Sequence, residues 1–224
     1  MQVSATTPFQ REERIMSRYL RYAGIAASAV LIVFGIASIV VGASGRNTVR
    51  NNLAAEQIVG SSDMTPKAIK AEATAAGLKN VDLPTCSVAD TPVNSGTSAR
   101  CFAQYMRIHA LEATGGQVYA EMGQYLDAAG KPTSDKTAAA IDPATKQPVP
   151  NAARNVWVNE TALSTALNTS YFAENVALFS VVMGVALLLT GIGFLVVALT
   201  LLRPGRKQEE TVPGKPAGSP ALAS

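Results

Sequence analysis

Two stretches of this chain carry no charged side chain, residues 23–45 and residues 176–202. All 19 Lys and Arg and all 16 Asp and Glu fall in the rest of the 224 residues. The first stretch, from Ala23 to about Ala43, reads AGIAASAVLIVFGIASIVVGA; the second, Val176 to Leu202, reads VALFSVVMGVALLLTGIGFLVVALTLL. Neither shows a polar face. A helix needs roughly 20 apolar residues to cross about 30 Å of hydrocarbon, and both blocks meet that length. A chain this short cannot wrap two such helices inside one soluble core. The modest mean hydropathy of +0.17 is therefore an average over two apolar blocks and an ordinary polar remainder.

The first block has a competing reading as a cleaved signal peptide, because Val41 and Ala43 satisfy the small-residue rule for cleavage. Its apolar run exceeds the ~7–15 residues of a signal core, however, and a retained anchor is expected. Orientation follows from the basic residues near the ends. Arg11, Arg14, Arg18 and Arg21 precede the first block, and only Arg46 and Arg50 closely follow it. Arg203, Arg206 and Lys207 follow the second block, and the approach to it lacks Lys and Arg. The positive-inside rule then puts both termini in the cytoplasm.

The expected organisation is a cytoplasmic basic segment (1–22), a transmembrane helix (23–45), an extracytoplasmic domain (46–175), a second transmembrane helix (176–202) and a disordered cytoplasmic tail (203–224). Each flank carries four basic and two acidic groups, whereas 46–175 carries eleven basic and twelve acidic. The net charge of +3 thus belongs to flanks that lie beside anionic lipid, and a nucleic-acid partner is not expected. The four N-terminal arginines share one stripe of a helix started by Thr7-Pro8, which fits either an interfacial helix or a plain positive-inside flank.

Small residues recur every seventh position, as Ser28, Gly35 and Gly42 in the first block and Ala177, Gly184, Gly191 and Ala198 in the second. A seven-residue period makes a seam along a left-handed helix pair, where small side chains let backbones approach. The seams face each other or another subunit. No ionisable residue lies inside either block, which argues against a proton relay, ion path or voltage sensor.

Between the blocks, Thr65-Pro66 starts a helix that stops at Gly77, and Ser98 is expected to cap another that ends at Gly115-Gly116. A short helix is expected to carry Tyr119, Met122 and Leu126, and residues 129–150 read as irregular. A helical pattern from about Asn155 runs into the second block. Alternating strand runs are lacking, so the fold class is an all-α membrane protein: two transmembrane helices with a small, mainly helical extracytoplasmic domain between them.

Cys86 and Cys101 are the two cysteines, and both fall in the segment assigned to the exterior. An even pair there favours a disulfide; a zinc site lacks the spacing and further ligands, and a redox pair prefers C-x-x-C. His109 is the single histidine, with Glu112 one turn after it and Tyr105 one turn before. Those three define a candidate pocket, against the plainer reading of His109 as a hydrogen-bonded helix residue. No nucleophile elbow, phosphate-binding glycine loop or H-E-x-x-H motif is present. Neither a resident cofactor nor a metal is expected.

DMTP at 63–66, LPTCS at 83–87, ARCF at 99–102, YMRIHALEATGG at 105–116, AARNVWV at 152–158 and TALSTALNTSYFAENVALF at 161–179 resemble a family of two-span actinobacterial membrane proteins of unassigned function. The resemblance covers about residues 20–202 and leaves out both tails. Some members bear an aromatic ring-opening dioxygenase label. That label conflicts with this chain, because a non-haem iron site of that kind wants two His and a carboxylate, and one His is present. Two functions are carried forward. The first is a non-enzymatic envelope subunit that contacts the lipid bilayer and binds a second copy or a membrane-complex partner. The second is a membrane-anchored enzyme or ligand sensor with a pocket around Tyr105, His109 and Glu112.

Overall fold

The computed structural model describes residues 8–200, with side chains from residue 15 onward except residue 17. The side chains of Arg11 and Arg14, the cap at Thr7 and the tail 203–224 lie outside the described residues. The described chain is mostly helical. Its four helices are α1 (Pro8–Ala55), α2 (Pro66–Ala75), α3 (Gly96–Ala113) and α4 (Ala153–Thr200). Both α1 and α4 hold stretches long and apolar enough to cross a membrane. Only 11% of that stretch in α1 and 17% in α4 is buried, so neither is the interior helix of a soluble core.

The chain divides into two compact units, one of residues 34–186 and one formed by residues up to 33 together with those from 187 onward. In the smaller unit α1 and α4 meet through small residues. Ser28 and Ala198 are fully or almost fully buried, and a Cβ placed on Gly191 would lie 2.9 Å from Ile32 Cγ1. In the larger unit Gly42 lies against Ala177 and Val181, and Gly184 against Gly35 and Ile39. Within the larger unit, repeat meets repeat at Gly42 with Ala177 and at Gly35 with Gly184; in the smaller unit Gly191 faces Leu31 and Ile32, and Ala198 faces Gly24.

The larger unit also holds a polar domain built on the inner turns of α1 and α4. Its core gathers Leu53 from α1, Ile69 from α2, Val93, Tyr105 and Ile108 from α3 and its lead-in, and Leu167 from α4. Thr65 caps α2 by accepting from the Ala68 N–H, and Pro66 fills the first turn, where a missing N–H costs nothing. Gly77 leaves the helix at φ +70°, a conformation that costs a side-chain-bearing residue energy. Ser95, rather than Ser98, is the cap of α3. The two serines form a reciprocal box in which Ser98, at the third helical position, accepts from the Ser95 N–H.

The helix expected around Tyr119, Met122 and Leu126 does not form. Tyr125–Leu126 (β1) pairs antiparallel with Pro132–Thr133 (β2), and single bridges join Asp127 to Ala139 and Ile141 to Pro148. Met122 packs with Ala110, Leu111 and Trp157 in a second small core. This segment satisfies its backbone by turns and Asp caps, such as Asp127 accepting from the Ala129 and Lys131 N–H groups.

Cys86 and Cys101 are joined by a disulfide, with Cα atoms 6.1 Å apart. It fastens the loop before α3 to that helix, and Tyr105 Oη reinforces it by donating to the Cys86 carbonyl at 2.6 Å. Closing a loop of this length contributes about 3 kcal/mol in the chain-entropy model. Reduction, or the double change Cys86→Ser and Cys101→Ser, should destabilise the domain by about that amount in chemical denaturation. An unchanged midpoint would show that the core alone fixes the loop.

Candidate functional site

Helix α3 is the centre of the domain and presents different chemistry on its two sides. Ile108 and Tyr105 point into the core, almost wholly buried. Arg107 and His109 are two positions apart, about 200° around the helix, and so reach opposite neighbours.

On one side Arg107 lies over the Trp157 ring, its guanidinium carbon 4.2 Å from the ring centroid. Its Nη1 is 3.6 Å from Oε2 of Glu160, a carboxylate only 4% exposed. Ser164 Oγ donates to Glu160 Oε1 at 2.7 Å and Thr161 Oγ1 to Oε2 at 3.3 Å. These groups form the polar part of an open groove of about 650 Å³, lined also by Asp82, Gln104, Asn168 and Phe172. Arg107 and Glu160 are already paired with each other, which suits a docking surface better than a poised acid or base.

On the other side His109 Nε2 stands 3.4 Å from Glu72 Oε2 and 3.8 Å from Asp63 Oδ2. The three donor atoms lie within 4.8 Å of one another. Glu72 comes from α2, whose Ile69 and Ala73 share the main core with Tyr105 and Ile108. Asp63 precedes the α2 cap, in a turn held where the Met64 carbonyl accepts from the Val88 N–H and Ser87 Oγ. The Ser61 hydroxyl holds the Asp63 carboxyl below its ordinary range against the opposing effect of burial, helped by its own main-chain N–H and by His109. His109 Nε2 and Asp63 Oδ1 are buried atoms without a hydrogen-bond partner.

Of the three residues expected to share a pocket, only His109 sits in this cluster. Tyr105 is a core residue whose hydroxyl is spent on the Cys86 carbonyl, and burial raises its pKa. Glu112 is exposed at the far end of α3. Asp63 and Glu72 take the places beside His109, and Glu160 gives the groove its buried charge; none was legible as a site residue in the sequence.

A third constellation ties the domain to the long helices. Glu174 on α4 is buried and accepts from Arg46 Nε at 2.9 Å, Arg50 Nε at 2.8 Å and the Gly96 N–H at the start of α3 at 2.5 Å. A helix N-terminus favours an anion, and here the anion also neutralises two arginines of α1. No protein-family model, curated protein or solved structure matches this chain.

Proposed function

We propose that this chain is a two-span membrane protein of the cell envelope, both termini cytoplasmic and residues 46–175 outside, acting as a non-enzymatic structural or accessory subunit. The observation that carries the reading is the division of α1 and α4 along their length. Val33, Phe34, Val40, Phe179, Val182 and Leu189 are exposed apolar side chains where the helices are most hydrophobic. Where the same helices enter the polar domain, Arg46, Arg50 and Glu174 replace that belt with a fixed ion cluster. An apolar belt of spanning length is stable in lipid and a liability in water. Membership of the actinobacterial two-span family is part of this proposal and rests on the segments quoted above.

The outer domain is held by a disulfide, two cores and the Glu174 cluster, and so offers a rigid face. The α3–α4 groove is where a partner would dock, and the exposed belts of α1 and α4 remain available to a second copy or another membrane subunit. The rival pocket around Tyr105, His109 and Glu112 loses support because Tyr105 is buried in the core and its hydroxyl is donated to the Cys86 carbonyl.

Reporter insertions test the topology. Alkaline phosphatase placed after Gly130 should be active, and a fluorescent protein at either terminus should fluoresce from inside the cell. A cytoplasmic signal from the Gly130 insertion would overturn it. Purification in a mild detergent followed by native mass spectrometry tests the role: a stoichiometric partner or homo-oligomer is expected, and a lone monomer counts against it.

A further inference from the structure

We propose that Asp63, Glu72 and His109 form a binding site for a divalent transition-metal cation, zinc(II) by donor chemistry. The geometry argues for it first. Nε2 of His109 is 3.4 Å and 3.8 Å from the two carboxylate oxygens, longer than the ~2.9 Å of a good N–H···O hydrogen bond. Two ligands each about 2.1 Å from one tetrahedral ion stand about 3.4 Å apart; the His109–Glu72 pair has that spacing, and the His109–Asp63 pair at 3.8 Å has to close slightly around an ion. The three atoms also converge from three different chain segments, so their meeting is not a by-product of spacing along one helix.

The second observation concerns hydrogen bonding. His109 Nε2, the atom that faces both carboxylates, is buried with no hydrogen-bond partner, and buried polar atoms normally have one. A cation between the carboxylates and the imidazole takes up the Nε2 lone pair and two negative charges together. The site is pre-formed, because α2 and α3 are packed through Ile69, Ala73 and Ile108 and the Asp63 turn is pinned by Met64. It is also reachable. The side chains of His109, Glu72 and Asp63 are 26%, 29% and 42% exposed, so water can complete the coordination.

One imidazole nitrogen with two carboxylate oxygens suits zinc, whereas calcium prefers an all-oxygen shell with more ligands. This inference is independent of membrane topology and of partner binding, and a failure of either leaves it standing. The ion would cross-brace α2 to α3 on the face opposite the groove.

The test uses the full-length, tag-free protein in detergent, stripped with a chelator and titrated with ZnCl2 and, separately, CaCl2 by calorimetry. One zinc per chain is expected, with calcium much weaker. Glu72→Gln and His109→Ala should each weaken zinc binding by about ten-fold or more, since loss of even an outer-shell partner typically costs that much. Because the chain has a single histidine, acylation of that imidazole by diethyl pyrocarbonate is a second readout in the unaltered protein. Zinc should protect His109 from it. Absence of stoichiometric zinc binding, unprotected acylation at saturating zinc, or equal zinc affinity in Glu72→Gln would each overturn the site. The cluster would then be an imidazole beside two carboxylates that holds no ion.

Discussion

Glu174→Ala should destabilise the polar domain by about 4 kcal/mol, within the range for removing one partner of a buried ion pair. The change leaves two arginines and the Gly96 N–H without their shared acceptor. Arg46 and Arg50 are 41% and 44% exposed and can rehydrate, but Gly96 is buried and cannot. Gly96 has no slack either, since a Cβ there would stand 2.8 Å from the Tyr171 Cα. Burial by itself would raise the Glu174 pKa; hydrogen bonds from Arg46, the Gly96 N–H and Arg50 outweigh it and leave the carboxyl below its ordinary 4.5. A depressed carboxylate stabilises the fold fully above its unfolded pKa and loses that contribution as pH falls through the folded value. Thermal unfolding of the wild type should therefore be flat near neutrality and soften below about pH 4.5. Glu174→Gln should start from a lower midpoint and show a weaker acid dependence. Equal acid sensitivity in both proteins would place the titrating group elsewhere.

What the sequence disclosed and what it hid divide by distance along the chain. Thr65-Pro66 and Gly77 mark the ends of α2 because caps and left-handed stops are local chemistry. The Ser28–Gly35–Gly42 repeat was readable because a helix turns any seven-residue period into a stripe. Ser95 and Ser98 are both competent caps for α3, and only the paired box in the fold separates them. Tyr119 to Leu126 looked helical from three apolar residues. Its backbone is instead captured by Val149 and Asn151, whose bonds to Leu126 and Gln124 cannot be seen locally. Glu72 and His109 are 37 positions apart, and Glu174 and Arg46 are 128 apart. Nothing in composition announces such meetings; they follow from α2 packing on α3 and α1 packing beside α4.

Gly184→Leu should break the contact between α1 and α4 in the larger unit. A Cβ at Gly184 would stand 2.7 Å from the Gly35 carbonyl oxygen and 2.9 Å from the Ile39 N, both backbone atoms that cannot step aside. Leu therefore forces the helices apart rather than filling a gap. In lipid the separated pair regains nothing by hydrophobic burial, because acyl chains solvate Leu as well as another helix does. Backbone proximity is the attraction, and its loss has no substitute. Gly193 supplies the control, since a Cβ there meets nothing within 4 Å. Gly45 and Ala177 supply the ruler: the Cβ of a residue at 45 would lie 3.7 Å from that of Ala177, close to the ~3.8 Å of a disulfide. The pair Gly45→Cys and Ala177→Cys should oxidise readily in an otherwise unaltered chain and with Gly193→Leu, scored as a linked peptide after proteolysis. Adding Gly184→Leu should abolish most of that linkage. Equal linkage in the Gly184→Leu and Gly193→Leu backgrounds would mean that the stripe reflects only the abundance of small residues in apolar helices. The seam's seven-residue period would then carry no structural information.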